Sequence, residues 1–92
     1  MIPLSDVYFK PSWYTLTKVD DPYFGYSGNR LYSLNSPEDK MYNSIRVGHS
    51  CRVGDFDSWW TTTPIVSITK VSPTEYTFIT RSGTHYRLEI DR

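Results

Sequence analysis

Few residues in this chain are of the kinds that do chemistry, and their spacing limits what they can do. His49 and Cys51 are two apart and would share one face of a strand, while His85 lies far away. A Cys-His nucleophilic pair would need the fold to bring Cys51 to His85, and a lone cysteine more often serves as a small buried hydrophobe. Structural zinc takes about four Cys or His ligands at paired spacings, a number that one cysteine and two histidines do not reach. Asp55 and Asp57 flank Phe56 and can face one way, the minimum for acid/base work or a hard cation. Among turn formers, two acids at that spacing read instead as loop caps and Asx turns. Gly25 and Gly28, with Asn29 and Arg30, match no phosphate-cradling fingerprint and read as turn glycines. No catalytic residue, metal site or cofactor is predicted.

The aromatic residues carry more information. Trp59 and Trp60 are adjacent, so an extended segment sends them to opposite faces, and both cannot enter one side of a core. Trp and Tyr are enriched among interface hot spots. The turn holding Asp55, Phe56, Asp57, Trp59 and Trp60, together with the stretch holding Tyr23, Phe24 and Tyr26, is therefore the candidate partner-binding surface. The alternative use of the same rings is to plug the open ends of a small barrel, because a small domain needs large side chains for stability. Rings beside arginines also describe a platform for single-stranded nucleic acid, for which Arg30, Arg46, Arg52, Arg81 and Arg87 are available.

Charge weighs against that second use. Ten basic and ten acidic residues cancel and interleave along the chain, whereas nucleic-acid affinity comes mainly from phosphate neutralisation. The single cysteine forbids an internal disulfide and suits a reducing compartment. The start, MIPLSDVYFKPSWY, lacks a basic segment followed by an apolar run, and no stretch approaches the roughly 18 apolar residues of a membrane span. The expectation is a soluble cytoplasmic protein without a membrane partner.

The elements that must position these residues read as strands. At 92 residues the chain is the size of one domain, and a composition of 16% aromatics suits a pleated surface. TPIVSITKV, TEYTFIT and THYRLEI form a predicted meander, in which Tyr86, Leu88 and Ile90 alternate with His85, Arg87 and Glu89. Arg81-Ser82-Gly83 supplies a hairpin turn with its glycine at positive φ, and Ser72-Pro73 supplies another turn. SIRVGHSCRVG reads as one strand with a bulge or bend at Gly48, SWYTLTKV as a strand, RLYSL as a further candidate and DDPYFGYSGN as an ordered loop. SPEDKMYNSI is the helix candidate, with Ser36 as cap, Pro37 in the first helical position, and Glu38 and Asp39 at the positive end of the dipole. The predicted fold is mainly β over residues 1–92: a small curled antiparallel sheet, or a partly open SH3-like or OB-like barrel, with one short helix.

The run TTTPIVSITKVSPTEYTFITRSGTHYRLEI, about a third of the chain, resembles the ending of small uncharacterised proteins encoded by tailed bacteriophages. Thr63, Pro64 and Val66 match their first strand, Thr80, Arg81 and Ser82 their turn, and Tyr86 and Leu88 their last strand. The resemblance implies a phage accessory protein of the host cytoplasm that binds and inhibits or redirects a host or defence protein. It carries over no functional residue. The leading expectation is thus a small non-catalytic binding protein that acts on a host or defence protein in host takeover or anti-defence. The alternatives are a nucleic-acid-binding module of SH3-like or OB-like shape, and a small hydrolase or nuclease using His49 and His85.

Overall fold

Strand-forming sequence dominates the chain, and the structure, a computed structural model that describes residues 4–36 and 38–91, is built from strands without a helix. In chain order they are β1 (Asp6–Tyr8), β2 (Trp13–Lys18), β3 (Asp21–Gly28), β4 (Arg30–Ser36), β5 (Asp39–Tyr42), β6 (Ser44–Arg46), β7 (Ser50–Gly54), β8 (Trp59–Thr61), β9 (Ile65–Ser72), β10 (Glu75–Thr80) and β11 (His85–Asp91). A five-stranded sheet runs β3-β2-β11-β10-β9, a four-stranded sheet runs β5-β4-β7-β8, and β1 pairs with β6. Every pairing between these strands is antiparallel. Among the described residues a single parallel bridge joins Val47 to Ile65, and no sheet closes into a barrel.

The meander forms as its alternation dictates. Tyr76 faces Leu88 and Phe78 faces Tyr86 across β10 and β11, and these four rings and chains are buried with Ile68, Ile90, Tyr14 and Leu16. Between β10 and β11 the chain turns at Arg81-Ser82-Gly83, where Gly83 takes φ +86°, a conformation open to glycine at little cost. On the solvent side of the same strands Arg87 Nε lies 3.4 Å from Glu75 Oε2, and Glu89 is exposed. The four-stranded sheet contributes Leu31, Cys51 and Val53, and β6 contributes Ile45, to the same buried cluster. The core is therefore shared between the inner faces of both sheets.

Three expectations are corrected. The helix over SPEDKMYNSI is absent: Asp39–Tyr42 is an edge strand in which Tyr42 pairs with Tyr32 and Met41 with Ser33. Asn43 then takes φ +56°, a left-handed conformation that Asn tolerates as a single residue but that no helix continues through. Ser36 ends β4 instead of capping a helix, Glu38 lies in the turn into β5, and Pro37, expected at the first helical position, lies outside the described residues. DDPYFGYSGN is not a loop, because Asp21–Gly28 pairs along β2, with Phe24 packing on the core. SIRVGHSCRVG is two strands, β6 and β7, separated by a turn at Gly48.

The two sheets meet where β3 runs into β4 through Asn29. Gly28 and Gly54 cross there so closely that a Cβ on Gly28 would overlap the Gly54 carbonyl and stand 2.9 Å from the amide nitrogen of Asp55. Only a residue without a side chain permits this approach. It fixes Gly54 and the turn that follows, which leads directly to the tryptophans.

Candidate functional site

The turn from Asp55 to Ser58 is held by its first residue. Asp55 Oδ1 accepts backbone N–H bonds from Asp57 and Ser58, both 2.9 Å, and the Asp55 N–H donates to the Ser58 carbonyl at 2.9 Å. This is the Asx turn that two nearby acids favour. The bonds from Ser58 and Asp57 hold the Asp55 carboxyl below its ordinary range, because a carboxylate that accepts N–H bonds is stabilised in its charged form. Asp57 itself is exposed.

The turn delivers Trp59 and Trp60 into β8, and strand alternation separates them. Trp59 falls on the outer face of the four-stranded sheet and is 50% exposed. Trp60 packs on the core from the other side, in edge contact with Phe24 (ring centroids 4.8 Å), tilted against Tyr26 (5.5 Å) and donating from Nε1 to Tyr86 Oη at 3.0 Å. Lys18 Nζ lies 4.4 Å from the Phe24 ring centroid. Trp60, Phe24 and Tyr26 thus fill the space between β3 and β8, and Tyr23, on the opposite face of β3, is 96% exposed. The eight candidate residues divide accordingly: Asp55, Phe56 and Trp59 lie together on one outer face, Trp60, Phe24 and Tyr26 form a packed cluster, and Tyr23 and Asp57 stand apart in solvent.

On the outer face the turn meets two arginines. Phe56 is 77% exposed, and the Arg30 guanidinium lies over its ring at 3.8 Å from the centroid. Arg52 donates from Nε to Thr61 Oγ1 and from Nη1 to Tyr32 Oη, both at 2.8 Å. Its guanidinium carbon sits 5.5 Å from the Tyr32 ring centroid and 5.9 Å from that of Trp59. Hydrogen bonds and cation–π placement together orient the Arg52 guanidinium, and cation–π placement alone orients that of Arg30. Among the described residues no ion pair engages Arg30 or Arg52. Arg30, Tyr32, Arg52, Gly54, Asp55, Phe56 and Trp59 line a cleft of about 240 Å³.

Sequence reasoning placed Arg30 beside Gly25 and Gly28 in a rejected phosphate cradle and, with Arg52, in a loose set of five arginines, and it overlooked Tyr32. A usable signal was present: Arg30 and Tyr32 are two apart in one strand and so share a face, as do Arg52 and Gly54.

The chain matches no protein-family model, no curated protein and no solved structure.

The residues weighed for catalysis are not brought together. Cys51 is wholly buried on the inner face of β7, and burial pushes its thiol up to about 12. A thiol so raised supplies almost no thiolate, the form that acts as nucleophile. His85 precedes buried Tyr86 on β11 and pairs with Ile79, which is exposed, so it points out of the other sheet, away from the core that holds Cys51. His49 lies in the turn before β7, outside the strand, with Nδ1 buried and without a hydrogen-bond partner among the described residues. Among the described residues no three His, Cys, Asp or Glu side chains could together hold a metal ion, and no helix is long and apolar enough to cross a membrane.

Proposed function

We propose that this chain is a small non-catalytic binding protein that engages a protein partner through the outer face of its four-stranded sheet. Phe56 and Trp59 with the arginine pair form the centre of contact. In biological terms this is a bacteriophage accessory factor, as the C-terminal third of the sequence suggests, that binds and inhibits or redirects a host or defence protein in the host cytoplasm. One observation carries the reading. The two most exposed rings of the Asp55–Trp59 segment are fastened to guanidinium groups instead of to the core, so they add little to the packing of the domain while offering rigid apolar area at the rim of a cleft. Such rings, beside arginine, are the residue types that dominate binding energy.

The test is a pull-down from bacterial lysate with the wild-type protein and with the double substitution Phe56→Ala, Trp59→Ala, each first checked for unchanged melting. A protein recovered by the wild type and lost with the double variant supports the reading; equal recovery by both refutes it.

A second reading is favoured by the same pairing of rings with arginines, which also suits stacked bases and a phosphate backbone. It requires binding to single-stranded oligonucleotides that weakens steeply with salt. No observation favours the hydrolase or nuclease reading, for which His49 and His85 would have to converge.

A further inference from the structure

The cleft on the outer face carries two cations in prepared positions, neither of them in an ion pair among the described residues. Arg52 has two of its five N–H groups bound, to Thr61 and Tyr32, which leaves three N–H groups in a plane that those two bonds orient. The Arg30 guanidinium carbon lies 3.8 Å from the Phe56 ring centroid, and Arg30 forms no ion pair among the described residues. A fixed guanidinium plane favours bidentate capture of a planar oxyanion, with little entropy left to lose. We infer that the cleft takes an acidic segment of the protein partner, with one Asp or Glu carboxylate on Arg52, a second on Arg30, and an apolar side chain seated between Phe56 and Trp59. This deepens the reading that the outer face binds a protein, and it rests on that reading.

Charge around the cleft selects a short acidic segment over a nucleic acid. Asp55 lines the cleft and Asp57 is exposed on the turn beside it, while the β5 charge that reaches this face is that of Lys40, its Nζ 5.5 Å from the Tyr32 ring centroid. A phosphate backbone crossing the face would run past these carboxylates, and the uncharged balance of the whole chain gives no long-range attraction to offset them. Two discrete carboxylates need reach only the two guanidiniums. Asp55 also restricts where they can sit. Its charge is held on the Asp57 and Ser58 amides of the Asx turn, so a carboxylate placed beside the turn is repelled.

The probe is a displayed library of random short peptides, selected on the wild-type protein and counter-selected on Trp59→Ala. Binders that survive are synthesised and measured by fluorescence anisotropy against wild type, Arg52→Gln, Arg30→Gln and Trp59→Ala, each verified by its melting temperature. The Arg30 side chain makes no hydrogen bond among the described residues, so its substitution keeps the test open even if the Arg52 variant melts early. The expected outcome is enrichment in Asp and Glu, with affinity falling about ten- to a hundredfold in each Arg→Gln variant, the value of a charge-assisted hydrogen bond. Neutral or basic peptides that depend on Trp59 would overturn the acidic-segment inference while leaving the binding face standing. Failure to select any Trp59-dependent peptide, or tight salt-sensitive binding of an oligothymidylate at the same residues, would overturn both.

Discussion

Replacing Gly28 by Ala perturbs the point on which the geometry of the candidate site depends. The new methyl would overlap the carbonyl group of Gly54 and lie 2.9 Å from the Asp55 nitrogen, closer than Cβ atoms are found to real neighbours. The obstacles are all backbone, so no side-chain rotation relieves them. Neither strand is free to retreat: Gly28 is registered against Tyr14 of β2, and Gly54 against Arg30 of β4 and Trp59 of β8. Overpacking by a methylene or so commonly costs about 1 to 3 kcal/mol when side chains can adjust; with backbone on both sides the upper end is expected, about 3 kcal/mol. In urea, where a small domain loses roughly 1 kcal/mol per molar, the midpoint should fall by about 3 M, a large part of the stability of a domain of this size. Gly25 is the internal control, since a Cβ there would meet Leu16 O and Thr17 Cγ2 at an ordinary 3.9 Å. If Gly28→Ala shifts stability by less than about 0.5 kcal/mol, as a surface change does, or if Gly25→Ala is equally damaging, the crossing of β3 over β7 is not as described.

Other consequences follow from burial and charge. Leu88→Ala removes a fully buried side chain from the centre of the meander and should cost about 2 to 5 kcal/mol in chemical denaturation. Cys51 should resist a thiol reagent such as DTNB at pH 8 in the native protein and react promptly once denatured, because burial both shields it and holds its thiol near 12. Asp55 has its carboxyl lowered by the Ser58 and Asp57 amides, so its contribution to the turn is present above the ordinary carboxylate pKa and is lost as pH falls through the lower folded value. The Asp57 and Ser58 amide resonances should accordingly titrate together with a midpoint below about 3.9, the unperturbed Asp value; a midpoint at or above that value would refute the Asx turn.

The C-terminal meander was legible because each level of information agreed there: Tyr86, Leu88 and Ile90 alternate, β-branched and aromatic residues fill the strands, and Gly83 stands where positive φ is required. The first half was less legible because local chemistry and tertiary pairing disagree. Ser36, Glu38 and Asp39 are good helix-start residues, yet pairing of Met41 and Tyr42 with β4 and the left-handed Asn43 win. Asp21, Gly25 and Gly28 look like turn residues, but β3 is an edge of its sheet, where glycine and acid are tolerated, and Gly28 serves the close crossing. At the candidate site, alternation alone gave the opposite facing of Trp59 and Trp60. It could not say that Phe24 and Tyr26 join Trp60, nor that Arg30 and Arg52 join Phe56 and Trp59, because those neighbours are set by how two sheets pack and not by spacing along one strand.

The central claim is that the outer face around Trp59 is used for binding and not for holding the domain together. Its most direct test is a paired measurement on Trp59→Ala: melting temperature, and affinity for a protein recovered by the wild type. The account predicts a nearly unchanged melting temperature with binding weakened by about 2 kcal/mol or more, the loss typical of a hot-spot residue. A variant that melts much earlier, or one that keeps full affinity, would contradict it.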